Sequence, residues 1–278
     1  MLALRFLEDY AIRLGKPLII IFGLGSANGS RTGASPLAEM MENLTKKPNI
    51  SVITCMGNEA NNKCHYKGTV MSALVPDVME INVDGTGKGF TMEIWADSLD
   101  ILSVSIESPS GEYVPRIPAR MGASMEYTFL YEGSTVTVDY QITENVAGME
   151  VIFVRLKTPV EGTWKFYIYS LTNIKGSYNA WLPLKQFSGQ DIYFLKSDPD
   201  TTLTVPAAAD GVISVGAYNH YTGAAYYESG RGYSADGRIK PDFVAPGAGV
   251  YGIAPSGGVK VTGCLLYTSP SPRDLSTS

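Results

Sequence analysis

Several features are scarce in this chain of 278 residues, and each absence excludes a class of protein. Cysteine occurs only at Cys55, Cys64 and Cys264, which is too few for a disulfide framework and gives no C-x-x-C pair. Lysine and arginine form no cluster and the formal net charge is −5, so we expect no nucleic-acid partner. No apolar run reaches the roughly 18 residues that a membrane-spanning helix needs.

The first 55 residues alternate between helical and strand patterns. Apolar residues at helical spacing from Leu4 to Leu14 predict a first helix. The run LIIIF at 18–22 predicts a strand that is covered on both faces of a parallel sheet. Ser35 and Pro36 predict the cap and first turn of a second helix, and ISVIT predicts a second strand. This order is typical of an α/β layer with a parallel sheet.

From about Met79 the chain shows short runs of period two, separated by turn sequences. This pattern predicts an inserted antiparallel β-sandwich or jelly roll, with Trp95 and Trp164 in its core. The strand-like run VISVGAY at 212–218 returns to the α/β pattern. The predicted organisation is an α/β domain in two parts, 1–78 and 176–263, an insert at 79–175, and a tail of different composition at 264–278.

Two predicted strand ends carry residues that could do chemistry. Asn58, in the sequence GNE, follows the strand ISVIT and so lies at the carboxyl end of a parallel strand, where open α/β sheets bind ligands. Its amide could donate to a developing oxyanion, or it could simply satisfy the backbone of its own turn. The sequence Gly23-Leu24-Gly25 ends the preceding strand and leaves room for an extended peptide to pair with the backbone. A plain tight turn is the alternative.

A third segment contains SGRG at 229–232 and KPDFVAPG at 240–247, and the simplest interpretation of this segment is a rigid loop. Taken in order, the three segments resemble the subtilisin-like serine peptidases, family S8, in which such motifs lead to the G-T-S sequence of the nucleophile. The β region, with NAWLP at 179–183 and DPDTTLTVPA at 198–207, resembles the subgroup of clostridial Csp proteases, which carry a jelly-roll insert. The implied fold class is α/β, an incomplete subtilisin-like parallel-sheet layer with an inserted antiparallel β-sandwich.

The resemblance also implies roles for particular residues. Asn58 would be the oxyanion-hole donor. Cys55, Met56 and Gly57 would line the S1 pocket, which holds the substrate side chain before the scissile bond, and Thr204 would form its opposite wall. Met56 stands where the family commonly has a small residue, so a narrowed pocket is expected. Pro206 matches a family proline that is often cis. The implied substrate-binding residues are Gly23, Leu24, Gly25, Cys55, Met56, Gly57 and Thr204.

The nucleophile, base and aspartate of a catalytic triad are not found in the chain. Neither His65, expected in a surface loop, nor His220 stands in the family's GHGT-type motif. After VKVTG the family has Thr-Ser, but here Cys264 and Leu265 follow. We therefore expect an internal fragment that is inactive as given. Residues 264–278 resemble a translated transposase sequencing adapter, and a genomic codon for Leu265 would contradict that interpretation.

By resemblance, the complete parent protein is expected to be a serine-type endopeptidase that acts on polypeptides. No cofactor is expected; calcium is common in the family, but no Asp/Glu/Asn cluster has a calcium-loop spacing. An extracellular, cell-envelope or spore-associated location is likewise implied by resemblance alone. Two alternatives stay open. The protein could be a pseudoprotease that binds and regulates a partner protease, or the insert could be a carbohydrate-binding or protein-binding module.

Overall fold

The computed structural model describes residues 1–85, 87, 89–97, 99–120, 122–143, 148–188, 191–253 and 259–262. The predicted tail at 264–278, including Cys264 and Leu265, lies outside the described residues. The chain divides into two compact units. The first unit comprises Met1–Asn61 and the chain from Asp200 onward, and the second comprises Asn62–Pro199.

The described residues form three helices and seventeen strands. The helices are α1 (Leu2–Leu14), α2 (Pro36–Thr45) and α3 (Lys185–Ser188). The strands are β1 (Leu18–Phe22), β2 (Ile50–Cys55), β3 (His65–Thr69), β4 (Asp77–Asp84), β5 (Gly89–Asp97), β6 (Leu102–Glu107), β7 (Tyr113–Ile117), β8 (Ser124–Thr128), β9 (Thr135–Thr143), β10 (Met149–Lys157), β11 (Gly162–Ser170), β12 (Ser177–Trp181), β13 (Asp191–Phe194), β14 (Ile213–Asn219), β15 (Phe243–Ala248), β16 (Val250–Ile253) and β17 (Val259–Thr262). None of these helices is long and apolar enough to cross a membrane.

The first unit contains the predicted parallel sheet, with strand order β1-β2-β14-β15 and parallel pairing throughout. Helix α1 ends at Gly15, whose φ of 61° suits glycine. Helix α2 begins as predicted, because the hydroxyl of Ser35 accepts a hydrogen bond from the N–H of Ala38 at 3.2 Å and Pro36 occupies the first turn. The core residues between helices and sheet are Leu4, Ile20, Ala38, Met41, Leu44, Val52, Ala209 and Val212.

The prediction that β1 is covered on both faces is wrong. Ile20 is buried against the helices, but Ile19 and Ile21 are 67% and 78% exposed. Successive side chains of a strand point to opposite faces, and helices α1 and α2 pack on the Ile20 face. β1 is also an edge strand of the sheet. An all-apolar run therefore leaves one apolar face uncovered by any described element of this unit.

The second unit is an antiparallel sandwich of two sheets, with strand orders β3-β12-β5-β10-β9-β8 and β13-β4-β11-β6-β7. Its core takes alternate residues from both sheets, as the period-two pattern predicts. Trp164 is fully buried there, with its ring edge-on to Phe129 at 5.1 Å. Trp95 is also buried, but it points to the opposite face of β5 and donates to Glu93 at 2.9 Å. The prediction of a core tryptophan therefore holds for Trp164 and not for Trp95.

The compact second unit is wider than the insert bounds of 79–175 drawn from sequence. Strands β3 and β12 pair with each other, and β12 also pairs with β5. Strand β13 pairs with β4. These three strands complete the edges of both sheets, so the unit extends from 62 to 199.

His65 is not a surface-loop residue, as the sequence had suggested. It begins β3 and is fully buried. Its ring stacks on Trp181 at 5.0 Å, and its two nitrogens lie 3.0 Å from Oδ1 of Asn179 and 3.2 Å from the carbonyl oxygen of Asp198. Both ring nitrogens and one ring face are therefore engaged in holding the second unit together.

Candidate active site

The two strand ends singled out from sequence lie side by side at one edge of the parallel sheet. Phe22 of β1 is paired with Thr54 of β2, and the strands run in the same direction. Gly23 therefore leaves the sheet next to Cys55, and the segments 23–25 and 55–58 emerge at the same edge. This carboxyl edge is where open α/β sheets form their ligand crevices.

A third segment, Thr202–Val205, joins these two strand ends. The N–H of Thr204 donates to the carbonyl of Met56 at 2.9 Å. The next residue, Val205, exchanges two backbone hydrogen bonds with Ser26, at 3.0 and 3.1 Å. The short segment thus binds the chain after β2 on one side and the chain after β1 on the other. The peptide bond between Val205 and Pro206 is cis.

Thr204 packs between two glycines, one from each strand end. A Cβ atom on Gly25 would overlap Oγ1 of Thr204 and would lie 2.6 Å from its Cβ. A Cβ atom on Gly57 would overlap Cγ2 of the same side chain. Gly57 also has a φ of 86°, which favours glycine. The three predicted site residues Gly25, Gly57 and Thr204 are therefore in contact.

Gly230 belongs to this site, although it was not among the predicted residues. Its N–H donates to the carbonyl of Gly57 at 2.7 Å. A Cβ atom there would overlap the carbonyl oxygen of Met56 and would lie 3.2 Å from that of Thr202. The sequence SGRG is typical of a rigid loop, and no feature of it indicates which backbone lies so close to Gly230.

Asn58 is half-buried at the carboxyl end of β2, and its backbone is held on both sides. Before it, the carbonyl of Gly57 accepts from Gly230; after it, the N–H of Ala60 donates to the carbonyl of Glu228 at 3.3 Å. The backbone on either side of Asn58 is therefore fixed, and its amide carries N–H donors of the kind that an oxyanion-binding group needs.

The segment after β1 can bind a peptide through its backbone N–H and C=O groups rather than through side chains. Among the described residues, the backbone groups of Leu24 and Gly25 have no hydrogen-bond partner. The Leu24 side chain is 64% exposed. An extended peptide could therefore pair with this segment by strand addition.

Of the residues expected to line the S1 pocket, Cys55 at the end of β2 and Met56 after it have buried side chains. Cys55 is 6% exposed and Met56 is 1% exposed. The Met56 side chain belongs to a small core cluster with Leu203, Ala207 and Ala208. Met56 thus meets the neighbouring segment through its carbonyl, and its side chain lies in the core.

The ion pair of Lys240 and Asp242 lies at the opposite, amino-terminal end of the sheet, whereas His220 lies at the carboxyl end of β14. Lys240 donates to Asp242 at 2.9 Å and to the carbonyl of Val212 at 2.9 Å. His220 follows β14, with its ring 3.9 Å from that of Tyr221. Within the described part of the chain, no group of three or more His, Cys, Asp or Glu side chains could hold a metal ion.

Comparison with known proteins finds a family match over part of the chain and a structural likeness over most of it. The family model Peptidase_S8, described as the subtilase family, matches residues 159–274. No curated protein matches the chain. A solved structure of the Clostridium perfringens CspB protease superposes with a TM-score of 0.83 at 25% sequence identity. The match covers 95% of this chain and 55% of that protein, so this chain spans little more than half of the CspB chain. The chain is therefore similar to the subtilisin-like peptidases of family S8 over residues 159–274, and its fold is similar to that of the CspB protease.

Proposed function

We propose that the edge formed by Gly23–Gly25 and Cys55–Asn58 is the substrate-binding and oxyanion-binding part of a serine-type endopeptidase. The observation that carries the proposal is the parallel pairing of β1 with β2, which brings both strand ends to one edge of the sheet. The subtilase match and the likeness to a protease structure support the same class of reaction.

In this proposal the substrate binds in an extended conformation. Its backbone pairs with the unpartnered groups of Leu24 and Gly25, as in strand addition. The carbonyl of the scissile bond then lies toward the amide of Asn58. When the nucleophile attacks, negative charge develops on that carbonyl oxygen, and the amide donates a hydrogen bond to it. A donor of this kind contributes about 3 to 4 kcal/mol to the stability of the transition state.

The attacking group is proposed to be a serine that is deprotonated by a histidine, which an aspartate orients. None of these three roles is assigned to a residue of this chain. The chain's own contribution is to orient the substrate and to hold the oxyanion, and both depend on strand ends rather than on titrating side chains.

The protein encoded by the complete reading frame, called the full-length protein below, provides the test. It is incubated with a proteome-derived peptide mixture, and mass spectrometry identifies new termini. We expect internal cleavage of peptides that a serine-reactive phosphonate abolishes. Absence of cleavage, or cleavage that resists the phosphonate and stops with a chelator, would overturn the proposal. Peptide binding without cleavage would favour the pseudoprotease alternative.

The carbohydrate-binding alternative for the insert draws no support from its tryptophans. Trp95, Trp164 and Trp181 are all buried. A glycan-binding surface of the usual kind exposes aromatic rings on which sugars stack. The three rings instead pack against other residues of the second unit.

A further inference from the structure

Six large apolar side chains are exposed at one end of the β-sandwich that forms the second unit. They are between 51% and 90% exposed to solvent. They belong to the three loops that join β3 to β4, β5 to β6 and β11 to β12. The six residues, called the apolar loop surface below, are Met71, Leu74, Val75, Leu99, Leu171 and Ile174.

The sheet topology places these three loops side by side. Each loop crosses from one sheet of the sandwich to the other, because β3, β12 and β5 are neighbours in one sheet and β4, β11 and β6 are neighbours in the other. Hydrogen bonds also join the loops directly. The N–H of Val70 donates to the carbonyl of Gly176 at 2.8 Å, and the N–H of Leu171 donates to the carbonyl of Ile101 at 2.8 Å. The apolar loop surface therefore lies on three connected loops.

The three loops carry little charge. The loop after β3 contains no charged residue, and the other two contain one each, Asp100 and Lys175. Asp100 is fully buried, and Lys175 forms an ion pair with Asp97 at the end of β5. Loops that present aliphatic side chains and one paired cation can enter an apolar medium without burying an isolated charge.

The buried carboxylate of Asp100 satisfies the backbone of the neighbouring loop. It accepts hydrogen bonds from the N–H groups of Ile174, Lys175 and Gly176, at 2.6, 2.9 and 2.6 Å. The N–H of Asn173 donates to a serine hydroxyl at 2.8 Å. These N–H groups need no water as a partner. A loop that enters lipid must meet this condition, because an unpaired N–H is costly there.

The loop between β5 and β6 is satisfied in the same way. The N–H groups of Leu99 and Asp100 donate to the side chain and the carbonyl of Asp97, at 3.1 and 2.9 Å. The N–H of Ile101 donates to the hydroxyl of Thr172 at 3.2 Å, and that hydroxyl donates to the carbonyl of Leu99 at 2.6 Å. In both loops the backbone N–H groups are thus paired within the protein, while apolar side chains are exposed.

The composition of the apolar loop surface favours lipid over a protein partner. Binding hot spots between proteins are enriched in tryptophan, tyrosine and arginine, and they contain leucine and valine less often. The six side chains of this surface are leucine, isoleucine, valine and methionine, carried on separate loops. Hydrocarbon tails require no fixed shape of the surface that enters them, so side chains on separate loops can be buried together.

We propose that the apolar loop surface inserts into the surface of a lipid bilayer and attaches the second unit to it without crossing it. The six apolar side chains enter the acyl region, and the Lys175–Asp97 pair lies among the headgroups. Burial of apolar area drives the binding, so neutral phosphatidylcholine is a sufficient ligand and anionic lipid is not needed. The proposal concerns the second unit and is independent of the proposed peptidase activity.

Flotation of the 278-residue chain with vesicles of pure phosphatidylcholine is the first test. Bound protein rises with the vesicles in a density gradient, whereas aggregated protein sinks, so self-association is not counted as binding. We expect the wild-type chain to float and to stay bound in about 0.5 M NaCl, since the attraction is not electrostatic. Leu74→Ser with Ile174→Ser should lower the partition coefficient at least tenfold, because each fully buried side chain of this size contributes roughly 10- to 100-fold.

Leu130→Ser with Tyr131→Ser is the matched control. These two side chains are also strongly exposed, but they lie between β8 and β9, at the other end of the sandwich. The control should float like the wild type. Circular dichroism melts show whether each variant is folded, and Met71→Ser with Leu171→Ser replaces the first variant if that one is not.

Three results of the flotation test would overturn the proposal. The first is a wild-type chain that does not float, and the second is an equal loss of flotation in the control. The third is flotation that requires anionic phosphatidylglycerol and is reversed by salt. A dimer of the wild type that the Leu74→Ser, Ile174→Ser variant abolishes, without any flotation, would assign the surface to a second copy of the chain instead.

A tryptophan probe measures insertion directly. With vesicles, Leu74→Trp should show added emission that is shifted to the blue and quenched by brominated phosphatidylcholine. Leu130→Trp should show neither effect. The native tryptophans are buried and give the same background in both proteins. Equal quenching of the two probes, or no quenching of the probe at position 74, would overturn the proposal.

Discussion

The carboxylate of Asp242 accepts two hydrogen bonds from Ser214, one from its backbone N–H at 2.6 Å and one from its hydroxyl at 2.7 Å. Lys240 adds a third contact to the same carboxylate and a bond to the carbonyl of Val212. These contacts join the amino ends of β14 and β15, opposite the edge that carries Asn58. The sequence KPD therefore stabilises the sheet and takes no part in the proposed chemistry.

Replacing Asp242 with asparagine tests this interpretation. Burial opposes ionisation, but the donors of Ser214 and the Lys240 ammonium outweigh it and hold the pKa of Asp242 below its ordinary value. The Asp242 side chain is 41% exposed, so solvent screens its charge, and we expect Asp242→Asn to lower the free energy of unfolding by about 1 kcal/mol at pH 7. Because the folded-state pKa is lowered, this stabilisation is present above the unfolded pKa of about 4 and is lost as pH falls through the folded value.

Urea unfolding at pH 7 and at pH 3 measures both effects. The exposed Asp9 on α1 gives a control, since Asp9→Asn should change the unfolding curve little at either pH. A deficit of Asp242→Asn that is the same at pH 3 as at pH 7 would show that the carboxylate charge is not what stabilises the strand pair.

Replacing Asn58 with alanine tests the oxyanion role in the full-length protein. The variant loses a donor that acts only when charge develops, so kcat should fall by about 100- to 1,000-fold while KM changes little. Asn61→Ala, three residues further on and exposed, should leave both constants near the wild-type values. An unchanged kcat in Asn58→Ala would remove this amide from the mechanism.

The uncovered face of β1 predicts self-association of the 278-residue chain. Ile19 and Ile21 are exposed on an edge strand, a combination that promotes pairing between molecules. We expect large species in light scattering, and a larger monomer fraction after Ile19→Thr with Ile21→Thr, since threonine keeps the β-branched shape. Ile20→Thr is the matched control. Ile20 lies in the core, so this change should cost about 2 to 4 kcal/mol and should not relieve association.

A monomeric wild-type chain would contradict the prediction. An equal loss of association in the Ile20→Thr variant would show that the exposed face is not the cause.

Glu150 predicts a pH dependence for the second unit. It is 2% exposed and accepts a hydrogen bond from the N–H of Leu102 at 2.8 Å. Burial raises its pKa to about 7, with the Asp100 carboxylate acting in the same direction and the Leu102 bond opposing. A raised folded-state pKa means that stability is full below the unfolded pKa of about 4.5 and is lost as pH rises through 7.

Glu150→Gln keeps an acceptor for Leu102 but cannot ionise. We expect it to be more stable than wild type at pH 8, by on the order of 1 to 3 kcal/mol, and equal to it near pH 4. Tryptophan fluorescence during urea unfolding follows the second unit alone, because Trp95, Trp164 and Trp181 all lie within it. The exposed Glu161→Gln is the control, and a gain at pH 8 of the same size there would contradict the assignment.

Local signals in the sequence predicted much of the first unit. Ser35 and Pro36 specify a helix start through contacts within four residues, and Gly15 specifies a helix end. The short apolar runs predicted the strands β1, β2 and β14. The carboxyl end of β2 predicted where Asn58 lies in the sheet. These features depend on neighbours in the chain, so they can be predicted without knowing the fold.

What the sequence did not predict depends on distant partners. His65 was misplaced because its pairing partner, Trp181, lies more than a hundred residues away. The exposure of Ile19 depends on which elements cover the sheet. An all-apolar run such as LIIIF does not indicate which of its side chains stay exposed. Likewise, the packing of Thr204 between Gly25 and Gly57 arises only when three separate segments meet.

The crowding at Gly230 has a consequence for how descendants of this gene can diverge. Carbonyl oxygens of Met56 and Thr202 leave space there for a hydrogen atom only, whereas a Cβ atom on Gly23 would meet open space. Substitutions should therefore be tolerated at Gly23 and selected against at Gly230. A homologue with a larger residue at the position of Gly230 must have moved the backbone that corresponds to Met56 and Thr202.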